Sequence, residues 1–198
     1  MSVWFLLIAA ALGLSVERAC YVWISRAPGS FRRWCGRPVI AGLGSPIAIV
    51  RMLFVIFKLV QGAVFLGWCV ALGGGLPGVA PGLAASVGGG LILLGQGLST
   101  LVFYRLGRVG TFFGDRLGYD VPWCRDFPFS VLAHPQYVGA VLTIWGVFLL
   151  ARFPHEDWVL LPILETILYI AGTQLEAAPA RPGSVPLRQA SEPRSVVK

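Results

Sequence analysis

In the stretch LPILETILYIAGTQLE (161–176), Glu165, Tyr169, Gly172 and Glu176 follow one another at i, i+4, i+7 and i+11. On a helix that spacing puts two carboxylates, a phenol and a side-chain-free backbone position along one stripe. Glu165 is the deeper of the two acids, and a carboxylate at the centre of a bilayer costs at least about 2.5 kcal/mol, so it is seldom there without a partner or a water-filled cavity. Glu176 is expected at the interface, where simple solvation would also account for it. Such acids can hold a cation or accept a proton. A second candidate is His134-Pro135-Gln136-Tyr137. Proline suits the first turn of a helix, histidine can take a proton near neutral pH, and the tyrosine can anchor at a membrane–water boundary. A third is Gly95-Gln96-Gly97, two glycines and an amide inside an apolar run. Each glycine costs up to about 1 kcal/mol against alanine in a helix interior. Either close packing of another helix or close approach of a ligand to bare backbone would offset that cost.

Other chemistries lack their residues. The G-x-G has Thr100 where a dinucleotide fingerprint has its third glycine, and no strand pattern precedes it. Neither a P-loop nor a G-x-S-x-G elbow occurs. His155-Glu156-Asp157 is explained as well by a turn as by a metal, and no metal is expected. Cysteines 20, 35, 69 and 124 form no C-x-x-C pair and are expected to be free thiols.

The elements that must position these groups are apolar. Of 198 residues 56% are hydrophobic and 13% charged, about half the charged share of a soluble domain; the mean hydropathy is +0.75. The net charge of +7 sits mostly between apolar runs, which is the positive-inside pattern rather than a nucleic-acid surface; no nucleic-acid partner is expected. The runs cover about 3–14 (extendable to 24 across Glu17 and Arg18), 47–72, 83–104, 136–151 and 158–173. The first is read as a retained membrane helix rather than a secretory signal, because a positive n-region is missing. It is either a span with a polar end or a helix in the interface. Arg51 and Lys58, seven apart, share a helical face and can snorkel toward headgroups. The last two runs flank RFPHED (152–157) and read as a helical hairpin. The expected fold is an all-α integral membrane protein of about four to five membrane helices including that hairpin. A membrane-embedded domain is expected over 1–178 and a disordered polar tail over 179–198. With five segments and the N-terminus outside, the arginine-rich loops 25–46 and 105–135 and the tail all face the cytosol.

Four stretches together carry a resemblance: GQG at 95–97, VGTFFGDRLG at 109–118, FPFSVLAHPQYVG at 127–139 and the acidic helix end at Glu176. They resemble the phospholipid N-methyltransferases, and ERACYVWISRAPGSF (17–31) is similar to that family's N-terminal region. The resemblance covers roughly residues 15–177, and G-T-F-x-G-D is its most specific part. The His-Pro-x-Tyr-x-Gly element also occurs in isoprenylcysteine carboxyl methyltransferases. The resemblance implies S-adenosylmethionine as cofactor, held by Gly95, Gln96, Gly97 and a pair of acids beginning at Glu176, with His134 and Tyr137 lining its pocket. The second acid of that pair is Ala177 here, which removes one carboxylate. The implied reaction is N-methylation of phosphatidyl-N-methylethanolamine and its dimethyl form to phosphatidylcholine, in the endoplasmic reticulum or a mitochondria-associated membrane. The implied partners are a membrane phospholipid substrate and the bilayer. With a lysine-like pKa of about 10.4, freeing the lipid amine's lone pair at pH 7 costs roughly 4–5 kcal/mol. His134 or Glu165 is the expected proton acceptor. The competing readings are carboxyl methylation of a prenylcysteine and a membrane scaffold without catalysis, which Ala177 would favour.

Overall fold

The computed structural model describes residues 2–73, 82–121 and 124–176. Among them every regular element is a helix: α1 Val3–Arg26, α2 Pro28–Cys35, α3 Pro38–Ala41, α4 Pro46–Gly73, α5 Gly82–Thr111, α6 Pro135–Ala151 and α7 Leu160–Glu176. Proline opens α2, α3, α4 and α6, where its missing N–H would be unsatisfied in any case. Ser2 caps α1 by accepting from the Phe5 N–H at 3.3 Å. Ala177 and the expected tail 179–198 lie outside the described residues.

Helices α1, α4 and α5 are long and apolar enough to cross a membrane, and α6 is a shorter apolar helix. At 17 residues each, the arms α6 and α7 are about 25 Å long, short of a hydrocarbon core of about 30 Å. The hairpin is as expected. The first segment takes the longer of its expected extents: α1 runs unbroken for 24 residues, long and apolar enough to span, with its charged residues in the C-terminal part. Glu17 and Arg18 sit buried inside it because they pair with each other at 3.0 Å, and Glu17 also meets Lys58 of α4 at 3.6 Å. Lys58 therefore turns inward, where snorkelling toward headgroups was expected; Arg51, one heptad earlier, stays exposed.

Helices α5 and α6 lie closest, and glycines set their distance. Gly88 faces Gly146, and Gly95 faces Gly139. A Cβ on Gly146 would come 2.6 Å from the Gly88 carbonyl oxygen, and one on Gly139 would come 2.7 Å from that of Gly95. Backbone contact of this kind maximises van der Waals packing where lipid supplies no hydrophobic drive between helices. Two apolar clusters hold the rest. Ala10, Leu14, Trp68, Phe148 and Leu161 join α1, α4, α6 and α7. Tyr21, Ile24, Phe31, Ile49, Val50, Phe57 and Phe112 join α1, α2 and α4 to the loop after α5.

The RFPHED turn is built by charge. Asp157 accepts from Arg152 Nε at 2.9 Å and Nη2 at 2.8 Å, and from Trp68 Nε1 of α4 at 2.6 Å. Bidentate pairing of this sort is geometrically exacting, and it pins the hairpin tip to α4. All four cysteines are free; burial raises the Cys35 thiol, which makes it a poor nucleophile.

Candidate functional site

A cavity of about 580 Å³ opens between α1, α4, α5, α6 and α7, roofed by the segment that follows α5. Each wall follows from local sequence. The roof comes from the G-T-F-F-G-D block. Gly107 takes φ +64 and kinks α5, and the chain then turns back through Phe113 at φ 58. Gly114 has no room for a side chain: a Cβ there would overlap the Val109 side chain and lie 2.5 Å from its carbonyl oxygen. The turn drives Phe112 into the core against Phe54 and Phe103, sets Phe113 on Tyr21 and leaves Asp115 at the cavity wall.

Helix α7 supplies the stripe read from its spacing. Glu165, Tyr169 and Gly172 are buried, and Tyr169 and Glu176 line the cavity. Tyr137 donates its hydroxyl to Glu176 Oε2 at 2.5 Å; Glu176 Oε1 is buried with no partner among the described residues. The end of α7 is also tied to α1: Ser25 donates to the Glu176 carbonyl at 2.7 Å, and Arg26 Nε donates to that of Leu175. His134 is exposed at the rim, stacked on Tyr137 with ring centroids 5.9 Å apart.

The third candidate, Gly95-Gln96-Gly97, divides three ways. Gln96 faces the cavity and donates to Thr143 Oγ1 of α6 at 3.1 Å. Gly95 is buried against α6, where a Cβ would overlap the Gly139 carbonyl and lie 2.8 Å from the Thr143 nitrogen. Gly97 is exposed, and a Cβ on it would meet nothing within 4 Å. Neither glycine lines the cavity.

Glu165 lies one hydrogen bond back from the main cavity, on a smaller one of about 230 Å³. It accepts from Gln61 Nε2 at 2.7 Å, and Gln61 accepts from Lys58 Nζ at 2.9 Å. Lys58 also donates to the Tyr169 hydroxyl at 3.3 Å. The structure thus gathers His134, Tyr137, Gln96 and Glu176 around one space and sets Glu165 behind it. Ala177 is outside the described residues.

The cations escaped the reading of candidate site residues. Arg18 and Lys58 line the cavity with Glu17 and Gln61. The Arg18 guanidinium lies 4.0 Å from the Tyr169 ring centroid and 5.4 and 5.5 Å from those of Tyr137 and Tyr21. The available signal was the cost of charge in an apolar run. Glu17, Arg18 and Lys58 each interrupt one, and each needs a partner that sequence spacing alone does not name.

Residues 83–178 match the model of the phospholipid methyltransferase family. Among curated proteins, the phosphatidyl-N-methylethanolamine N-methyltransferase of Arabidopsis thaliana is 43% identical over 54 residues, 27% of this chain and 33% of that protein. The phosphatidylethanolamine N-methyltransferase of Rattus norvegicus is 38% identical over 90 residues, 44% of each chain. That of Mus musculus is 37% identical over a stretch of the same length and coverage. The chain thus spans less than half the length of the curated relatives it matches. No solved structure matches it. Over residues 83–178, which include nearly all of α5, the roof of the cavity and both hairpin arms, the chain is similar to the phospholipid methyltransferases.

Proposed function

We propose that this protein methylates the amine of a phospholipid headgroup, using S-adenosylmethionine. Phosphatidyl-N-methylethanolamine and its dimethyl form would be the substrates and phosphatidylcholine the product. The observation that carries the reading is the cavity between α1, α4, α5, α6 and α7. It combines an apolar side (Phe54, Val102, Phe103, Phe112) with carboxylates, phenols and a histidine, as a meeting place for a lipid and a water-soluble cofactor requires. Its volume of about 580 Å³ falls in the range of about 300–1,000 Å³ usual for small-molecule sites.

The residues fit the cofactor. Glu176 Oε1 and the Tyr21 hydroxyl are buried without partners among the described residues, and an unmade hydrogen bond on a buried group costs about 1–3 kcal/mol. Donors and acceptors on a nucleoside amino acid would relieve that cost. When bound, the cofactor supplies a methyl group carried on a sulfonium. Gln96, His134, Tyr137 and Glu176 would hold it, and the Tyr137–Glu176 bond would fix the carboxylate. Gly95 would contribute indirectly, by keeping α6 close enough for Thr143 to orient Gln96; Gly97 and Ala177 keep only the roles that the family pattern gives them.

His134 is the better proton acceptor for the lipid amine, since it lines the cavity while Glu165 does not. Glu165 would instead hold Gln61, and through it Lys58. No residue need attack covalently; holding the two reactants in line supplies the remaining help. The compartment this activity fits is the endoplasmic reticulum or a membrane associated with it.

The test uses the purified protein in lipid nanodiscs with methyl-labelled S-adenosylmethionine. Phosphatidylethanolamine, its monomethyl and dimethyl forms, and a prenylcysteine are offered separately. Label entering the methylated lipids supports the reading, and the rates set the step. Label in prenylcysteine alone would move the protein to carboxyl methylation. No transfer to any acceptor, together with no binding of S-adenosylhomocysteine by wild type or Ala177→Glu, would leave only the scaffold.

A further inference from the structure

Two buried polar atoms of opposite charge lie near the same point and make no hydrogen bond among the described residues. They are Arg18 Nη1 and Glu176 Oε1, and both belong to side chains that line the cavity. Gly172 makes the gap: Glu176 Oε1 and Arg18 Nη1 lie 3.5 and 3.7 Å from the point where its Cβ would stand. Arg18 is 7% exposed, so the free N–H cannot turn to bulk water. The guanidinium is also fixed in place. Its other nitrogen, Nη2, pairs with Glu17 at 3.0 Å, and its plane lies over Tyr169. Glu17 must satisfy Lys58 as well, so one carboxylate serves two cations.

Leaving a charged donor buried and unmade costs more than leaving a neutral one, and a buried cation lacking part of its counter-charge is costlier still. The two unpaired atoms are of opposite sign, one on Arg18 and one on Glu176, while Glu17 is already shared by Arg18 and Lys58. A ligand that completes both unpaired atoms without adding net charge must itself carry both signs.

We propose that Arg18 is the oxyanion-binding residue of this cavity, gripping the anionic end of a zwitterionic ligand whose ammonium end meets Glu176. This rests on the methyltransferase reading and names a contact that reading does not supply. Two ligands of the proposed reaction carry the required chemistry. One is the α-amino-carboxylate end of the cofactor. The other is the phosphate and amine of the lipid headgroup. Arginine suits either oxyanion, because its planar fork pairs with carboxylate and phosphate alike.

The experiment compares wild type, Arg18→Met and Arg18→Lys in nanodiscs. Calorimetry measures binding of S-adenosylhomocysteine and of 5′-methylthioadenosine, which keeps the nucleoside and sulfur but lacks the amino acid. Kinetics with a dihexanoyl phosphatidyl-N-methylethanolamine give the lipid KM. Losing one charge-assisted bond should weaken binding by at least about tenfold. If the cofactor is gripped, Arg18→Met loses that much affinity for S-adenosylhomocysteine while methylthioadenosine binding is unchanged. If the headgroup is gripped, nucleoside binding holds and the lipid KM rises by the same factor. Arg18→Lys keeps the charge but loses the fork; it carries the test should Arg18→Met fail to fold. Variants that melt like wild type and change none of the three constants overturn the proposal. Wild type that binds no S-adenosylhomocysteine and transfers no methyl group overturns the methyltransferase reading beneath it.

Discussion

The Gly95 and Gly97 positions permit a test in which one chemical change, glycine to alanine, is made two residues apart on α5 with opposite outcomes. At Gly95 the added methyl would overlap the Gly139 carbonyl and the Thr143 hydroxyl and sit 2.8 Å from the Thr143 nitrogen. Two of those atoms are backbone, so α6 must move as a body. Overpacking of this kind costs about 1–3 kcal/mol. At Gly97 the methyl meets nothing within 4 Å, and alanine is the better helix former by up to about 1 kcal/mol. The propensity gain is common to both positions and cancels, so Gly95→Ala should be less stable than Gly97→Ala by about 1–3 kcal/mol, the overpacking cost alone. Reversible unfolding in mixed micelles, followed by tryptophan fluorescence, measures the difference directly. Calorimetry with S-adenosylhomocysteine on the same samples asks whether either glycine is needed for binding. Gly97→Ala should bind like wild type, and Gly95→Ala more weakly because Thr143 and Gln96 separate. Equal stabilities would refute the packing argument. A stable Gly97→Ala that no longer binds would refute the assignment of the cavity wall.

Further expectations follow from the other contacts. Burial alone would raise the Asp157 carboxyl, but the hydrogen bonds from Arg152 and Trp68 outweigh it and hold it below the usual carboxylate value. The stability it contributes is present above the unfolded pKa of about 3.9 and is lost as pH falls through the lower folded value. Melting temperatures of wild type should drop across that acid window more than those of Asp157→Asn; parallel curves would show the clamp contributes nothing. Tyr137→Phe removes the donor to Glu176 and should weaken S-adenosylhomocysteine about tenfold, read by calorimetry, with the fold intact. His134→Ala should lower kcat by about a hundredfold or more, a larger loss than its effect on that affinity; an unchanged kcat would remove His134 as the proton acceptor. Glu165→Gln should act through Gln61 and Lys58, raising the KM for lipid rather than abolishing turnover.

The course of the helices was legible, and their pairing was not. The run at 47–72 became α4, Pro46–Gly73, and the two arms flanking RFPHED became α6 and α7, because apolar length and proline starts act locally. The stripe on α7 was legible for the same reason: a helix repeats its face every 3.6 residues wherever it sits. Lys58 was not. A lone cation in an apolar helix reads as a snorkelling group, and only the neighbouring α1 supplies Glu17 at 3.6 Å. Gly95-Gln96-Gly97 was legible as a choice between packing and ligand contact. Successive residues of a helix point about 100° apart, so the three face a neighbouring helix, the cavity and the exterior, and the choice is resolved residue by residue. Ala177 lies outside the described residues, and the Ala177→Glu comparison measures whether a second acid there matters.

The ties from Ser25 and Arg26 to the carbonyls at the end of α7 make the cavity a joint product of two stretches of chain. Its roof and one side come from residues 83–178, the part matched by the phospholipid methyltransferase family. Its cations, and the apolar surface of Phe54, come from residues 17–61, outside that match. Recognisable motif and cation-bearing wall are thus separable in sequence while inseparable in space. Exchanging α1 and α4 between relatives could retune which lipid enters without altering a single residue of the motif. Residues 83–178 expressed alone would carry the family's signature and still lack both cations of the cavity.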